Sequence, residues 1–174
     1  MKRGSIPENN KDNSNKEKIN YFVTSPEKAS ARVTINSFMM GTLFFILTLI
    51  WSIGPNRFSF FAIVQLILAI PLLYVSSLAY AKVGYWKEIK LWNNLGWYTN
   101  HFGNTFLINV AGILAATFSR NLALVYFALF LFLMLIYSVI NLIYKPSSIW
   151  EKTYKYLLLL ITIIIGGVIP IFLT

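Results

Sequence analysis

Five apolar stretches divide the chain, and each is long enough to cross a bilayer as an α-helix. A hydrocarbon core about 30 Å thick takes roughly 20 residues of helix. Apart from Lys155, near the start of the fifth stretch, none of them contains a charged residue or a histidine. The pattern predicts an all-α integral membrane protein, a five-span helical bundle with spans at 33–53, 58–81, 102–118, 122–144 and 154–173. The third stretch is the shortest and most polar, so a re-entrant segment is an alternative there.

The segment before the first span differs in composition from the rest. Residues 1–24 are rich in Asn and Lys and are predicted to form a disordered cytoplasmic tail. Residues 25–174 are predicted to form a single transmembrane bundle. Ser25 followed by Pro26 is typical of a helix start, so the first helix is expected to begin before the membrane. Turn residues at 54–56 and 119–121 predict two tight hairpins.

The basic residues outside the spans indicate the orientation. Thirteen of the fifteen Lys and Arg residues lie in three regions: before span 1, between spans 2 and 3, and from the end of span 4 to the start of span 5. Arg57 and Arg120 alone occupy the other two loops. Because Lys and Arg accumulate on the cytoplasmic side, the N-terminus is predicted to be inside and the C-terminus outside. The richness in Ile, Asn, Lys and Phe favours a prokaryotic plasma membrane.

The segment at 84–100 is aromatic and moderately amphipathic. On a helical wheel its lysines fall on one side and several apolar residues on the other. This pattern predicts a short interfacial helix between spans 2 and 3. Its rings are predicted to be headgroup-level anchors: Tyr85, Trp86, Trp92, Trp97 and Tyr98. One alternative is that the second helix continues straight out of the membrane through Lys90, and another is an aromatic pocket for a cationic group, with Glu88 as its carboxylate.

Neutral polar residues near the predicted cytoplasmic side are candidate ligand-lining residues. Asn104, Asn109 and Asn141 lie in the cytoplasmic halves of spans 3 and 4, and His101 directly precedes span 3. They predict a polar cavity open to the cytoplasm. Hydrogen bonding between neighbouring helices explains the same amides without a ligand. A histidine that only precedes a helix is likewise the alternative for His101.

Small residues in the third span predict close helix packing. Gly112 and Ala116 have the small-xxx-small spacing, and Ala115 and Ser119 extend the same face. We therefore expect the third helix to lie centrally in the bundle or at a subunit contact.

The sequence offers few groups for chemistry. It has no cysteine, one histidine and six carboxylates, none of them inside a span. Ion-coupled transporters and intramembrane enzymes usually place ionisable residues in the membrane. We therefore predict no catalytic residues, no metal site and no cofactor. The net charge of +9 is explained by orientation, so no nucleic-acid partner is expected.

Three classes of function remain open. The first is a non-catalytic subunit or accessory protein, with the bilayer and another membrane protein or a second copy as partners. The second is a binding or transport component that recognises a small neutral solute or a lipid headgroup from the cytoplasmic side. The third is a lipid-modifying enzyme that would bring His101, Glu88 and Glu151 together.

Overall fold

The computed structural model describes residues 25–83, 89–144 and 149–173, which are helical apart from short turns. The helices are α1 (Pro26–Ile53), α2 (Phe60–Val83), α3 (Ile89–Ala116), α4 (Arg120–Tyr144), α5 (Ile149–Ile163) and α6 (Ile169–Leu173). A π-helical segment, Ile164–Val168, joins α5 to α6 without a break. No strand occurs in these ranges. The predicted disordered tail, residues 1–24, lies outside the described residues.

Four of the helical rods are long and apolar enough to cross a membrane. They cover Glu27–Ile53, Phe60–Val83, Arg120–Ile143 and Lys152–Leu173. The prediction of an all-helical membrane protein is therefore confirmed. The rod that contains the predicted third span is not among the four, because the first half of α3 is polar.

The ends of α1 follow from local sequence. Ser25 is its N-cap, with a side chain that accepts a hydrogen bond from the backbone N–H of Lys28 over 3.4 Å, and Pro26 is the first helical residue. At the other end Gly54 has a φ of 108°, which a glycine adopts without strain. One turn of 3-10 helix, Pro55–Arg57, then reverses the chain towards α2. The hairpin predicted at this position is confirmed.

A separate interfacial helix is not formed by the described part of 84–100. Residues 89–100 are the first half of α3, which continues straight into the predicted third span. The reason is packing against α2: a Cβ added at Gly96 would lie 3.1 Å from the ring of Tyr80, and one at Gly103 would lie 2.8 Å from Leu73. These glycines let the two helices approach closely at two successive levels of α3.

The antiparallel α2–α3 pair has a seven-residue register. Leu66, Leu73 and Tyr80 recur every seven residues on α2 and are all 0–1 % exposed. They meet Val110, Gly103 and Gly96 of α3 in reverse order. Knobs at this spacing are the mark of coiled-coil-like packing. Asn36 of α1 joins the pair, because its Nδ2 donates to Ser76 Oγ (3.1 Å), which donates to the Gly96 carbonyl (3.0 Å).

Two apolar clusters flank α3. On one side Leu43 and Ile50 of α1 pack against α2 and Val110. On the other side α4 contacts the last helical rod through Ala123, Phe127, Leu159, Ile163 and Ile171. The third helix is thus central in the bundle, and α4 is the most outward helix, with only 11 % of its most apolar window buried.

Candidate binding site

A cavity of about 560 Å³ lies at the end of the bundle where α1 begins and α4 ends. This "basic cavity" is walled by four helices and has the size of typical ligand pockets, roughly 300–1,000 Å³. Its lining is Arg32 from α1; Trp97, Asn100, His101 and Asn104 from α3; Met134, Tyr137, Ser138 and Asn141 from α4; and Lys152, Lys155, Tyr156 and Leu159 from α5.

Helical spacing places the α3 residues on one wall. Trp97, His101 and Asn104 are separated by four and three residues, so they lie above one another on the same face. The rings of Trp97 and His101 are stacked, with centroids 5.1 Å apart and planes 9° from parallel. The Lys155 ammonium lies 5.4 Å from the centroid of the Trp97 ring, on the facing helix. The Trp97 ring therefore contacts His101 on its own helix and Lys155 on α5.

Three cationic side chains, Arg32, Lys152 and Lys155, belong to the wall. The Arg32 guanidinium donates from Nη1 to the hydroxyl of Tyr80, and its Cζ lies 4.9 Å from the centroid of that ring. Lys152 donates from Nζ to the backbone carbonyl of Asn141, in the last turns of α4, where a cation also complements the helix dipole. The cavity thus combines a guanidinium that is hydrogen-bonded to Tyr80 with two ammonium groups.

The α3 wall contains polar atoms with no hydrogen-bond partner within the described protein. They are Oδ1 of Asn100, Nε2 of His101 and Oδ1 of Asn104, and all three are buried. A buried polar atom left unpaired costs about 1–3 kcal/mol. Because these three residues also line the cavity, a ligand that carries hydroxyl or amino groups matches them better than an apolar occupant.

Burial also determines the charge of His101. Desolvation disfavours the imidazolium form and lowers the pKa of this side chain below its ordinary value. The residue lies near the middle of α3 and directly precedes the predicted third span. It is therefore a neutral donor and acceptor near pH 7 rather than a fourth cation.

Three of the four predicted ligand-lining residues come together in this cavity, and one does not. His101, Asn104 and Asn141 are wall residues. Asn109 lies deeper in the bundle, where its Nδ2 donates to Gln65 Oε1 over 2.9 Å and to the Thr162 carbonyl over 3.3 Å. Its geometry corresponds to the hydrogen bonding between helices that was the alternative for these amides.

The described anchor residues contact protein. Trp92 packs against Tyr80 and Val83, Trp97 forms part of the cavity wall, and the Tyr98 hydroxyl lies 3.5 Å from that of Tyr154. Tyr85 and Trp86 lie outside the described residues. A position at headgroup depth stays a prediction for all five.

The predicted packing residues of α3 face α4 to different degrees. A Cβ on Gly112 would lie 2.2 Å from Cζ of Phe127, so this position admits only glycine beside that ring. Ala115 and Ala116 pack against the same α4–α6 cluster. Ser119 is exposed in the turn, where its carbonyl accepts from the N–H of Ala123 over 3.2 Å at the start of α4.

Sequence reasoning missed the cations as site residues, although it used them for orientation. Lys152 and Lys155 are three residues apart and therefore share a face of α5. That spacing, at the same end as His101, was the available signal. Arg32 gave no such signal, because it is positioned by a hydrogen bond to Tyr80, which is 48 residues away in sequence.

Within the described ranges no three His, Cys, Asp or Glu side chains are grouped so that they could hold a metal ion. Comparisons of this chain with protein-family models, with curated proteins and with solved structures gave no match. Its function has to be inferred from the basic cavity itself.

Proposed function

We propose that this protein is a non-catalytic membrane component that binds an anionic, hydroxyl-bearing lipid headgroup in the basic cavity. One observation carries the proposal: three cationic side chains and three residues with an unpaired buried polar atom line a single space of about 560 Å³. Cations favour a phosphate, which accepts strong charge-assisted hydrogen bonds. The unpaired amide oxygens favour hydroxyl groups attached to it.

The charges of the wall support one of the two ligands expected from the sequence, the lipid headgroup. A phosphodiester headgroup would add a charge-assisted contact to the three cations that line the wall, whereas a small neutral solute would gain nothing from their charge. Lipid is favoured over a soluble anion because Tyr137 belongs to the wall and is also 61 % exposed on α4. The cavity therefore reaches the side of the bundle that a bilayer would cover.

The proposal includes five spans, with the N-terminus in the cytoplasm, the C-terminus outside, and the plasma membrane as the location. Arg32, Lys82, Lys90, Lys152 and Lys155 lie at one end of the rods, and Arg57 and Arg120 at the other. This separation supports the positive-inside orientation, and with that orientation the basic cavity would belong to the cytoplasmic leaflet. A role as a subunit, with a protein partner or a second copy, stays a prediction.

Native mass spectrometry of the full chain in a mild detergent tests the binding. The probes are phosphatidylglycerol, which is anionic and carries hydroxyls, phosphatidic acid, which lacks the headgroup hydroxyls, and zwitterionic phosphatidylcholine. We expect phosphatidylglycerol to bind at least about tenfold more tightly than phosphatidylcholine. The triple variant Arg32→Gln, Lys152→Gln, Lys155→Gln should lose this preference because its wall lacks the cations.

The matched control is Arg57→Gln, which removes one positive charge from an exposed residue at the opposite end. It should leave binding unchanged. We expect the unmodified protein to bind phosphatidylglycerol more tightly than phosphatidic acid, because only the former carries headgroup hydroxyls. Asn104→Leu should abolish this difference while both lipids still bind. Equal binding of the anionic and zwitterionic lipids, or a triple variant that binds like the unmodified protein, would refute the proposal.

A further inference from the structure

A second cavity lies at the opposite end of the bundle. This "Arg120 cavity" has a volume of about 400 Å³ and is lined by Ser59, Ile113, Ala116, Thr117, Arg120 and Ile171. Arg120 is its cation, and the Cζ of that side chain lies 5.3 Å from the centroid of the Phe172 ring. The Ser59 hydroxyl is buried and has no hydrogen-bond partner among the residues that the structure describes. The two cavities therefore share the combination of positive charge and unpaired polar atoms.

One face of α4 runs from the Arg120 cavity to the basic cavity. Arg120, Phe127, Met134 and Asn141 recur every seven residues, so they lie on the same face of the helix. Arg120 lines one cavity, and Met134 and Asn141 line the other. At 1.5 Å of rise per residue, Phe127 lies about 10 Å along the axis from Arg120 and from Met134. The ring is midway between the cavities.

Phe127 fills the space between three elements. The residue is 2 % exposed, and two glycines face it, Gly112 from α3 and Gly167 from the π-helical segment. A Cβ at Gly112 would lie 2.2 Å from Cζ of the ring, and one at Gly167 would lie 2.5 Å from the same atom. Since neither neighbour has a side chain, the ring of Phe127 fills the contact between α4, α3 and the π-helical segment.

The surroundings of the ring are polar and irregular. A Cβ at Gly167 would also lie 2.7 Å from Oδ1 of Asn109, which is buried and has no hydrogen-bond partner in the described structure. Gln65 donates from Nε2 to the carbonyl of Gly166 over 2.6 Å. Short π-helical segments within helices occur frequently at functional sites. The amide of Asn109 and the π-helical segment therefore both lie beside the ring of Phe127.

We propose that the two cavities are the ends of one pathway across the membrane for a phosphate-bearing group, and that Phe127 closes it. The ligand class rests on the proposed function, because the phosphate is inferred from the cations of the basic cavity. Arg32, Lys152 and Lys155 attract the group at one end and Arg120 attracts it at the other. The phosphate can belong to a lipid headgroup, whose acyl chains stay in the bilayer, or to a free anion.

Transfer across liposomes that contain the full chain tests the pathway. One probe is phosphatidylglycerol with a fluorescent tail, whose accessibility to an impermeant quencher reports movement between leaflets. The other is inorganic phosphate as its potassium salt, with valinomycin to balance charge. Phe127→Ala should accelerate transfer of at least one probe about tenfold or more over the unmodified protein. Faster phosphatidylglycerol identifies a lipid headgroup as the source, and faster phosphate identifies a free anion.

The control is Phe132→Ala, the same substitution on the same helix at a residue that is 58 % exposed. It should leave both rates unchanged. Phe127→Leu, which leaves less empty volume, provides a folded variant if the alanine variant does not survive purification. If neither folded variant transfers either probe faster than the unmodified protein, the pathway is refuted.

Phosphatidylglycerol binding, measured on the same samples, separates the two proposals. Binding without faster transfer overturns the pathway and leaves the proposed function intact. Faster transfer that persists in a variant without the three basic-cavity cations would overturn the ligand assignment instead.

Discussion

Asn109 of α3 donates a hydrogen bond from Nδ2 to Oε1 of Gln65 on α2 over 2.9 Å, in the middle of the bundle. Gln65 in turn donates from Nε2 to the carbonyl of Gly166 over 2.6 Å. Three rods are joined by two amides at a depth where water is scarce. The contact with Gly166 uses a carbonyl of the π-helical segment, so the irregular backbone is tied to the central helix pair.

A double-mutant cycle on Gln65 and Asn109 should reveal coupling. We expect Gln65→Ala and Asn109→Ala each to lower the free energy of unfolding, and the pair to show an interaction energy of about 0.5–2 kcal/mol. Denaturation in mixed micelles measures it. Thr48→Val is the control, because the exposed Thr48 hydroxyl donates only to the Phe44 carbonyl of its own helix. Additive effects of the two alanines would show that the amides do not depend on each other.

Gly112→Ala should destabilise the bundle through a single methyl group. The added Cβ would lie 2.2 Å from Cζ of Phe127, so α3 and α4 must separate or the ring must move, at a cost of about 1–3 kcal/mol. The thermal midpoint in detergent, monitored by size-exclusion chromatography, measures the loss of stability. Phe127→Leu in the same chain should restore part of it, since the shorter side chain makes room.

Gly41→Ala is the matched control for that substitution. Gly41 lies inside α1, and a Cβ there would have no neighbour within 4 Å among the described atoms. Because alanine favours a helix over glycine by up to about 1 kcal/mol, this variant should be as stable as the original or more so. If Gly112→Ala had the same thermal midpoint as Gly41→Ala, the close approach of α3 to Phe127 would be contradicted.

Four long apolar helices were predictable because bilayer thickness imposes a length on apolar sequence, whereas the path of α3 was not. The rings and lysines of 84–100 have an amphipathic pattern that suits a membrane surface. What decides the structure is the pair Gly96 and Gly103, which accept Tyr80 and Leu73 of α2. A glycine marks neither the polar nor the apolar face of a helical wheel, so its packing role can be recognised only when the partner helix is known.

The site was predictable in part for a similar reason. His101, Asn104 and Asn141 were predicted from their common depth in the membrane, and all three line the cavity. Depth says nothing about which face of a helix a residue occupies. Asn109 belongs to the same helix as Asn104 but is five residues further on, about 140° around the axis, and so faces Gln65.

Tyr80→Phe should weaken phosphatidylglycerol binding without removing a cation. The Tyr80 hydroxyl accepts a hydrogen bond from Arg32, and the ring packs against Gly96. The phenylalanine ring keeps the packing but loses the hydroxyl, so the guanidinium becomes less well positioned. We expect affinity to fall about three- to tenfold, measured by lipid titration in native mass spectrometry.

A matched control for this positioning role lies on the same helix. Tyr74 is 55 % exposed, so Tyr74→Phe should leave the affinity unchanged. Arg32→Lys should fall at least as far as Tyr80→Phe, since an ammonium does not reproduce the planar fork of a guanidinium. Unaltered affinity in Tyr80→Phe would mean that Arg32 is held in place by other contacts.

His101 should titrate below the ordinary histidine value of about 6.5. Burial lowers the pKa of its imidazole, and because the chain has one histidine, its ring resonances in an NMR titration are unambiguous. Its contribution to stability is complete above about pH 6.5 and is lost as the pH falls towards the lowered folded-state pKa, because the unfolded chain binds the proton first.

Phosphatidylglycerol should raise the pKa of His101, since a phosphate beside the ring favours the imidazolium. The groups that share the cavity with it are Arg32, Tyr137, Lys152, Lys155 and Tyr156. A lipid-free midpoint at or above 6.5 would show that the ring is hydrated, and a midpoint that phosphatidylglycerol does not move would place the headgroup away from His101.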